Sequence, residues 1–184
     1  MGLGSWKQRA NMKGGFSLVE LLTVLAIVAV TLSIGVPGFS AFLRNQQITS
    51  ATNDFLAAIR LARSEAIQRG ARVDLVPRDP DGSWAGGWVV FVDNNNNQRP
   101  DAGERVVLAH DAAPKGLRIE ARLTDSTVQY LAYNGTGRSR TNASSQRTQF
   151  GTFTFRLNEQ VRKIKLNFLG SPRACNPARE GSSC

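Results

Sequence analysis

From Phe16 to Val36 the chain runs 21 residues with one charged side chain, Glu20, and that charge lies inside the run rather than at its flank. At about 1.5 Å of rise per residue, a helix of this length matches a bilayer core of about 30 Å. A carboxylate within such a span costs on the order of 3 kcal/mol at mid-bilayer. It therefore calls for a cationic partner, because a buried charge left unpaired is the costly case. Lys7, Arg9 and Lys13 precede the run, with no acidic residue before Glu20. A secretory signal would have an apolar core of roughly 7–15 residues followed by a small-residue cleavage site. Here Gly14 and Gly15 stand before the run, so cleavage there leaves it attached. An ordinary anchor explains the length and the flanking charge but not Glu20.

The helix does not stop at the membrane. Pro37, between Gly35 and Gly38, is expected to bend it, since the ring removes a donor and clashes with the preceding turn. Beyond the bend Ile48, Ala51, Phe55, Ile59, Ala62 and Ala66 recur at three- and four-residue steps and make one apolar stripe. Gly70 is the expected stop. Beyond Gly70 the chain reads as strands and turns. The segments are 72–77, 88–92, 105–109, 117–123, 128–133, 153–157 and 164–168, the last two with the cleanest alternation. Paired around Asn158-Glu159, they would present Arg156, Lys163 and Lys165 on one wet face.

The run Gly15-Phe16-Ser17-Leu18-Val19-Glu20 resembles the class III leader of type IV pilins and type II secretion pseudopilins. The helix ending Leu61-Ala62-Arg63-Ser64-Glu65-Ala66-Ile67, with Arg69 and Gly70, is similar to that of the GspH/FimT group of these proteins. The resemblance implies an α+β, type IV pilin-like fold: a long N-terminal helix, transmembrane in its first half, packed on an antiparallel β-sheet head. It divides the chain into a leader (1–15), a membrane or filament-core helix (16–37), an amphipathic helix half (38–70), a β domain (71–174) and a tail (175–184). It implies that prepilin peptidase cuts between Gly15 and Phe16 and methylates Phe16. It also implies that Glu20, with Pro37, serves assembly, Glu20 neutralising the N-terminal ammonium of a neighbouring subunit. The expected setting is the bacterial inner membrane, crossed once, with the head in the periplasm and other pilins as partners. Met1 and Met12 are both candidate starts, the latter giving a four-residue leader.

An exported chain meets an oxidising compartment, where Cys175 and Cys184, the two cysteines, are expected to pair; two free thiols are the alternative. Catalysis has little to stand on. His110 is the one histidine, no Gly-rich phosphate loop follows a strand, and no cofactor is called for. In the loop Asp93 to Glu104, the residues Asp93, Asn95, Asn97, Asp101 and Glu104 match the calcium-ligand spacing of an EF-hand. Gln98 stands where the sharp turn requires glycine, and no helices flank the loop. It reads first as a solvated hairpin loop, with a membrane-tethered calcium- or ligand-binding module as the alternative function.

Charge supplies the better lead. Of the net +9, residues 16–125 carry a balance of −1 and residues 126–184 a balance of +7. Arg138 and Arg140 sit in a flexible glycine-containing turn, Lys163 and Lys165 on a strand, and Arg173 and Arg179 around the expected disulfide loop. Such cations neutralise phosphates without reading base sequence. FimT-type minor pilins are implicated in DNA capture through a Gly-Arg-x-Arg motif near the C-terminus. Gly137-Arg138-Ser139-Arg140 has those letters 44 residues before the end, whereas Gly170-Ser171-Pro172-Arg173 has the position without the first arginine. DNA is therefore a candidate partner, and a merely solubilising basic face is the alternative.

Overall fold

The computed structural model describes Gly15 and residues 17–184. Lys7, Arg9, Met12, Lys13 and Phe16 lie outside the described residues, as do the side chains of Ile34 and Pro37. Helix α1 (Leu18–Arg69) continues through Pro37. The chain divides into two compact units at Ala41/Phe42. In the first, α1 exposes Leu18, Leu21, Leu25, Val28, Leu32 and Val36. Among the described residues this is the one helix long and apolar enough to cross a membrane.

The second unit is the head. Its strands are β1 (Val73–Pro77), β2 (Trp88–Val92), β3 (Val106–His110), β4 (Arg118–Leu123), β5 (Leu131–Tyr133), β6 (Ser139–Arg140), β7 (Gly151–Leu157), β8 (Gln160–Leu166) and β9 (Pro172–Cys175), followed by a single-turn helix α2 (Pro177–Glu180). They form a five-stranded sheet ordered β3-β2-β1-β5-β6 and a four-stranded sheet ordered β4-β7-β8-β9, antiparallel throughout. The expected stripe of α1 is buried at every position from Ile48 to Ala66. Phe55 is its centre, 4.9 Å from Trp88 and 4.8 Å from Phe153 between ring centroids, so one side chain joins the helix to both sheets. Among the described residues, all buried core side chains lie between Ile48 and Cys184, so the head has a core of its own.

Helix α1 ends as glycine dictates. Gly70 takes φ 61°, and Ala71 N–H reaches back to the Ala66 carbonyl at 3.3 Å. Strand β2 is buried at all five residues rather than at alternate ones, because the five-stranded sheet is covered on both faces. Trp88 and Val90 face the helix core, while Val89 and Phe91 join Val76, Tyr130 and Ala132 in a second cluster on the other face.

Two expectations are corrected at strand ends. The alternation to Phe168 overruns β8, which stops at Leu166. Asn167 starts a turn there, its Oδ1 accepting the N–H groups of Leu169 (3.0 Å) and Ser171 (2.9 Å); Phe168 is left exposed. The expected strand 128–133 shrinks to Leu131–Tyr133, since Tyr130 turns its hydroxyl to Asp125 at 2.7 Å.

Candidate nucleic-acid interface and assembly segment

In the four-stranded sheet, the pairing register lines up side chains that sequence distance separates. Arg122, Thr152, Lys165 and Arg173 stand opposite one another across β4, β7, β8 and β9. The next row outward-facing is Glu120, Thr154, Lys163 and Cys175, and Arg118 lies opposite Arg156. Period-2 alternation puts these rows on the face away from Phe153, Phe155 and Ile164, which are fully buried. The strands of this sheet hold seven basic residues and one acidic residue, Glu120, and all of the basic ones but Arg162 belong to these rows, so the face is electropositive by construction. At about 4.8 Å per strand the row from Arg122 to Arg173 extends about 14 Å.

The tail trims this charge. Arg173 donates to Glu180 at 2.5 Å, and Lys165 Nζ donates to the Ser183 carbonyl at 3.4 Å. A disulfide joins Cys175 to Cys184 and ties the tail to β9. Arg179 is exposed. Arg162, on the same strand as the lysines, turns away and donates to Asn45 of α1; burial first, and then Arg179, hold its pKa below the ordinary range.

Arg138 and Arg140 belong to the other sheet. Arg138 is exposed, but Arg140 is half-buried and spends its guanidinium on the carbonyls of Thr141 (3.1 Å) and Asn142 (3.3 Å). Burial, then the neighbouring Arg72, lowers its pKa. The structure therefore splits this pair and leaves one surface cation. Nor is their turn flexible. Asn134 Oδ1 accepts the N–H groups of Thr136 and Arg138, both at 3.1 Å. A Cβ on Gly137 (φ 75°) would stand 2.5 Å from Ile67 Cδ1. The two motif-like segments nonetheless meet: Tyr133 donates to the Gly170 carbonyl at 2.6 Å, and Gly170 packs against the backbone of Ser139. Beside them a cavity of about 250 Å³ is lined by Arg60, Arg63, Ser64, Ile67, Ser171 and Pro172.

Arg156 stands on the same face as Lys163 and Lys165, as the hairpin reading expected, whereas Arg118 and Arg122, which complete the basic face, lie outside the basic last third. The alternation Arg118-Ile119-Glu120-Ala121-Arg122 was the available signal. Charge counting by thirds also missed Arg60 and Arg63, whose helix end lies beside the Gly137 turn.

The 93–104 loop does not converge on a cation. Asp93 Oδ1 and Oδ2 accept the N–H groups of Asn96 (2.6 Å) and Gln98 (3.1 Å) and face Arg72 at 3.3 Å. Glu104 accepts the N–H groups of Asn94 and Asp101, and Asp101 takes Asn95 and Asn97. The five oxygen-bearing side chains thus hold the loop itself. Among the described residues no group of three or more His, Cys, Asp or Glu is placed to hold a metal.

In the N-terminal unit Gly15 and Glu20 are exposed. Ser17 supplies the helix start: its Oγ accepts Glu20 N–H at 3.3 Å, and its carbonyl accepts Leu21 N–H at 3.1 Å. The cap uses the Ser17 hydroxyl and the Glu20 backbone N–H, and not the Glu20 carboxylate.

Comparison with known proteins agrees with this architecture. The profile of type II transport protein GspH matches residues 51–170, and the prokaryotic N-terminal methylation motif matches residues 10–36. Pilin-like protein PilA1 of Thermus thermophilus is 36% identical over 105 residues, which are 57% of this chain and 64% of that protein; the match thus spans less than two thirds of the relative. The type IV minor pilin FimU of Pseudomonas aeruginosa superposes with a TM-score of 0.56 at 19% identity, covering 73% of this chain and 91% of that one. The minor pseudopilin EpsH from the type 2 secretion system of Vibrio cholerae gives 0.53 at 13% identity, covering 72% and 99%. With a type IV pilin-like fold, an N-terminal methylation motif and a GspH profile over more than half its length, the chain belongs to the GspH family of minor pilins and pseudopilins.

Proposed function

We propose that this chain is a minor pilin or pseudopilin, a structural subunit with no covalent chemistry of its own, cut by prepilin peptidase between Gly15 and Phe16 and methylated on Phe16. The observation that carries the reading is the uncovered apolar surface of α1 from Leu18 to Leu43, interrupted by the single carboxylate of Glu20. Such a surface has two comfortable environments, lipid and the core of a filament of like helices. Glu20 fits the second once it meets the N-terminal ammonium of a neighbouring subunit. The methylation-motif match across residues 10–36 supports the processing boundary. In this reading the chain crosses the inner membrane once before assembly and holds its head in the periplasm. Replacing Glu20 by alanine tests it: the altered chain is expected to stay in the membrane and to be missing from filaments.

A second activity, sequence-independent DNA binding, is favoured by the basic face of the four-stranded sheet. Arg122, Lys163, Lys165 and Arg173 are its centre, with Arg138 and Arg179 as outlying cations. The stripe of about 14 Å equals about four base-pair steps at 3.4 Å each. Retardation of duplex DNA by the head at low salt, lost near 200 mM, is the expected behaviour for a few phosphate contacts. Unaltered binding after removal of the four central cations would refute the face. A tethered calcium module is disfavoured because the 93–104 oxygens are engaged within the loop.

A further inference from the structure

The two sheets have four outer edges, and three of them are blocked. Strand β6 is two residues long, and Ser139 donates to the Gln149 carbonyl beside it at 2.6 Å. Strand β9 begins with Pro172 and ends in the disulfide that folds the tail onto it. Strand β4 alternates Arg118, Glu120 and Arg122 along its length. These are the ordinary devices that prevent one sheet from pairing with another: short strands, proline, covering segments and charge.

Strand β3 has neither proline nor charge; its one departure from regular pairing is a bulge at Val107, which the register with β2 skips between Leu108 and Val106. Val106-Val107-Leu108-Ala109-His110 is five residues long, contains no proline and no Lys, Arg, Asp or Glu, and is the terminal strand of its sheet. Its hydrogen-bonded neighbour is β2 alone. Among the described residues, no backbone hydrogen bond outside that ladder reaches residues 106–110. Val106 is 50% exposed and Ala109 is exposed, while Val107 and Leu108 pack partly against the core.

We propose that β3 is a docking edge for β3 of a second copy of this chain, the two strands pairing antiparallel about Leu108. Self-pairing suits this strand because it sets no Lys, Arg, Asp or Glu opposite a like charge. In that register Val107 lies opposite Ala109 and Val106 opposite His110, apolar or aromatic neighbours that stabilise a ladder. Five residues bury far less than the area of a stable dimer, so the contact forms only between chains already held side by side. The uncovered apolar helix supplies that tether by raising the effective concentration of one head near another. The proposal rests in this respect on the pilin reading.

The test uses the full chain in lipid vesicles, with single cysteines at Ala109→Cys and, as a control edge, Glu120→Cys; the native cysteines are occupied by their disulfide. Across a pair centred on Leu108 the two introduced thiols are diagonal neighbours, about 7–8 Å apart. A short bifunctional thiol reagent is expected to give a dimer with Ala109→Cys and none with Glu120→Cys. Adding Val106→Lys, at an exposed position, is expected to abolish that dimer without altering the melting of the head. No dimer, equal dimer from both edges, or dimer that survives Val106→Lys would overturn the proposal. Filament incorporation of the Val106→Lys chain, scored beside Glu20→Ala, separates failure of this edge from failure of the pilin reading.

Discussion

Arg72 and Asp74 form a two-pronged ion pair inside the head, Nε to Oδ1 at 2.7 Å and Nη2 to Oδ2 at 2.6 Å, with both side chains buried. The second arm of the guanidinium, Nη1, reaches Asn96 (2.9 Å) and Asn142 (2.7 Å), and Nη2 faces Asp93. One arginine therefore holds strand β1 to two loops that cover the outer face of the five-stranded sheet. Arg72→Met would leave two buried carboxylates facing each other and is expected to cost about 3–5 kcal/mol. Asp74→Asn, which keeps Asp93 beside the guanidinium, is expected to cost less. Urea unfolding of the head, residues 42–184, measures both; equal costs would contradict the central place given to Arg72.

The same site carries a pH dependence. Burial pushes the Asp74 pKa up to about 7 against the lowering pull of Arg72. With the folded pKa above the unfolded value, the folded state holds this proton more tightly. The stability that this contributes is present in full below about pH 4 and is lost as pH rises through about 7. The head with Asp74→Asn is expected to show a flatter pH–stability curve between about pH 4 and 7. A difference between the two curves that does not change over this range would contradict it.

Phe55 is the pin of the core, within 5.5 Å of the ring centroids of Trp84, Trp88, Phe153 and Phe155. Phe55→Ala removes one side chain from the helix and contacts from both sheets, at an expected cost of about 3–5 kcal/mol. Phe168→Ala, on the exposed turn, is expected to shift the urea midpoint little.

Much of the head was legible in the sequence, and the parts that were not have common causes. The helix stripe from Ile48 to Ala66 and the hairpin about Asn158-Glu159 follow from local periodicity, and both stand in the structure. Register between distant strands is not local, so the alignment of Arg122 with Lys165 and Arg173 could not be read from spacing. Arg140 shows the reverse limit: a charge count treats every arginine as solvated, whereas this one serves two backbone carbonyls. The overrun at Phe168 arose because a hydrophobic alternation carries no sign of the Asn167 side chain that ends the strand.

The contrast between Arg140 and the aligned cations gives a test for the basic face. Replacing Arg122, Lys163, Lys165 and Arg173 together by alanine is expected to weaken DNA retardation by the head and to flatten its dependence on salt. The slope should fall by about 0.9 for each phosphate that is no longer neutralised. Arg140→Ala is expected to leave the salt slope unchanged. An Arg140→Ala effect as large as the fourfold replacement would return the interface to the Gly137 turn.

The central claim, that Glu20 is an assembly group on an otherwise apolar helix, is tested most directly by expressing Glu20→Ala in cells and assaying sheared filaments for the chain. The expected result is a membrane-bound chain with a folded, disulfide-closed head that is missing from the filament fraction. Incorporation equal to that of the unaltered chain would contradict the assembly role of Glu20.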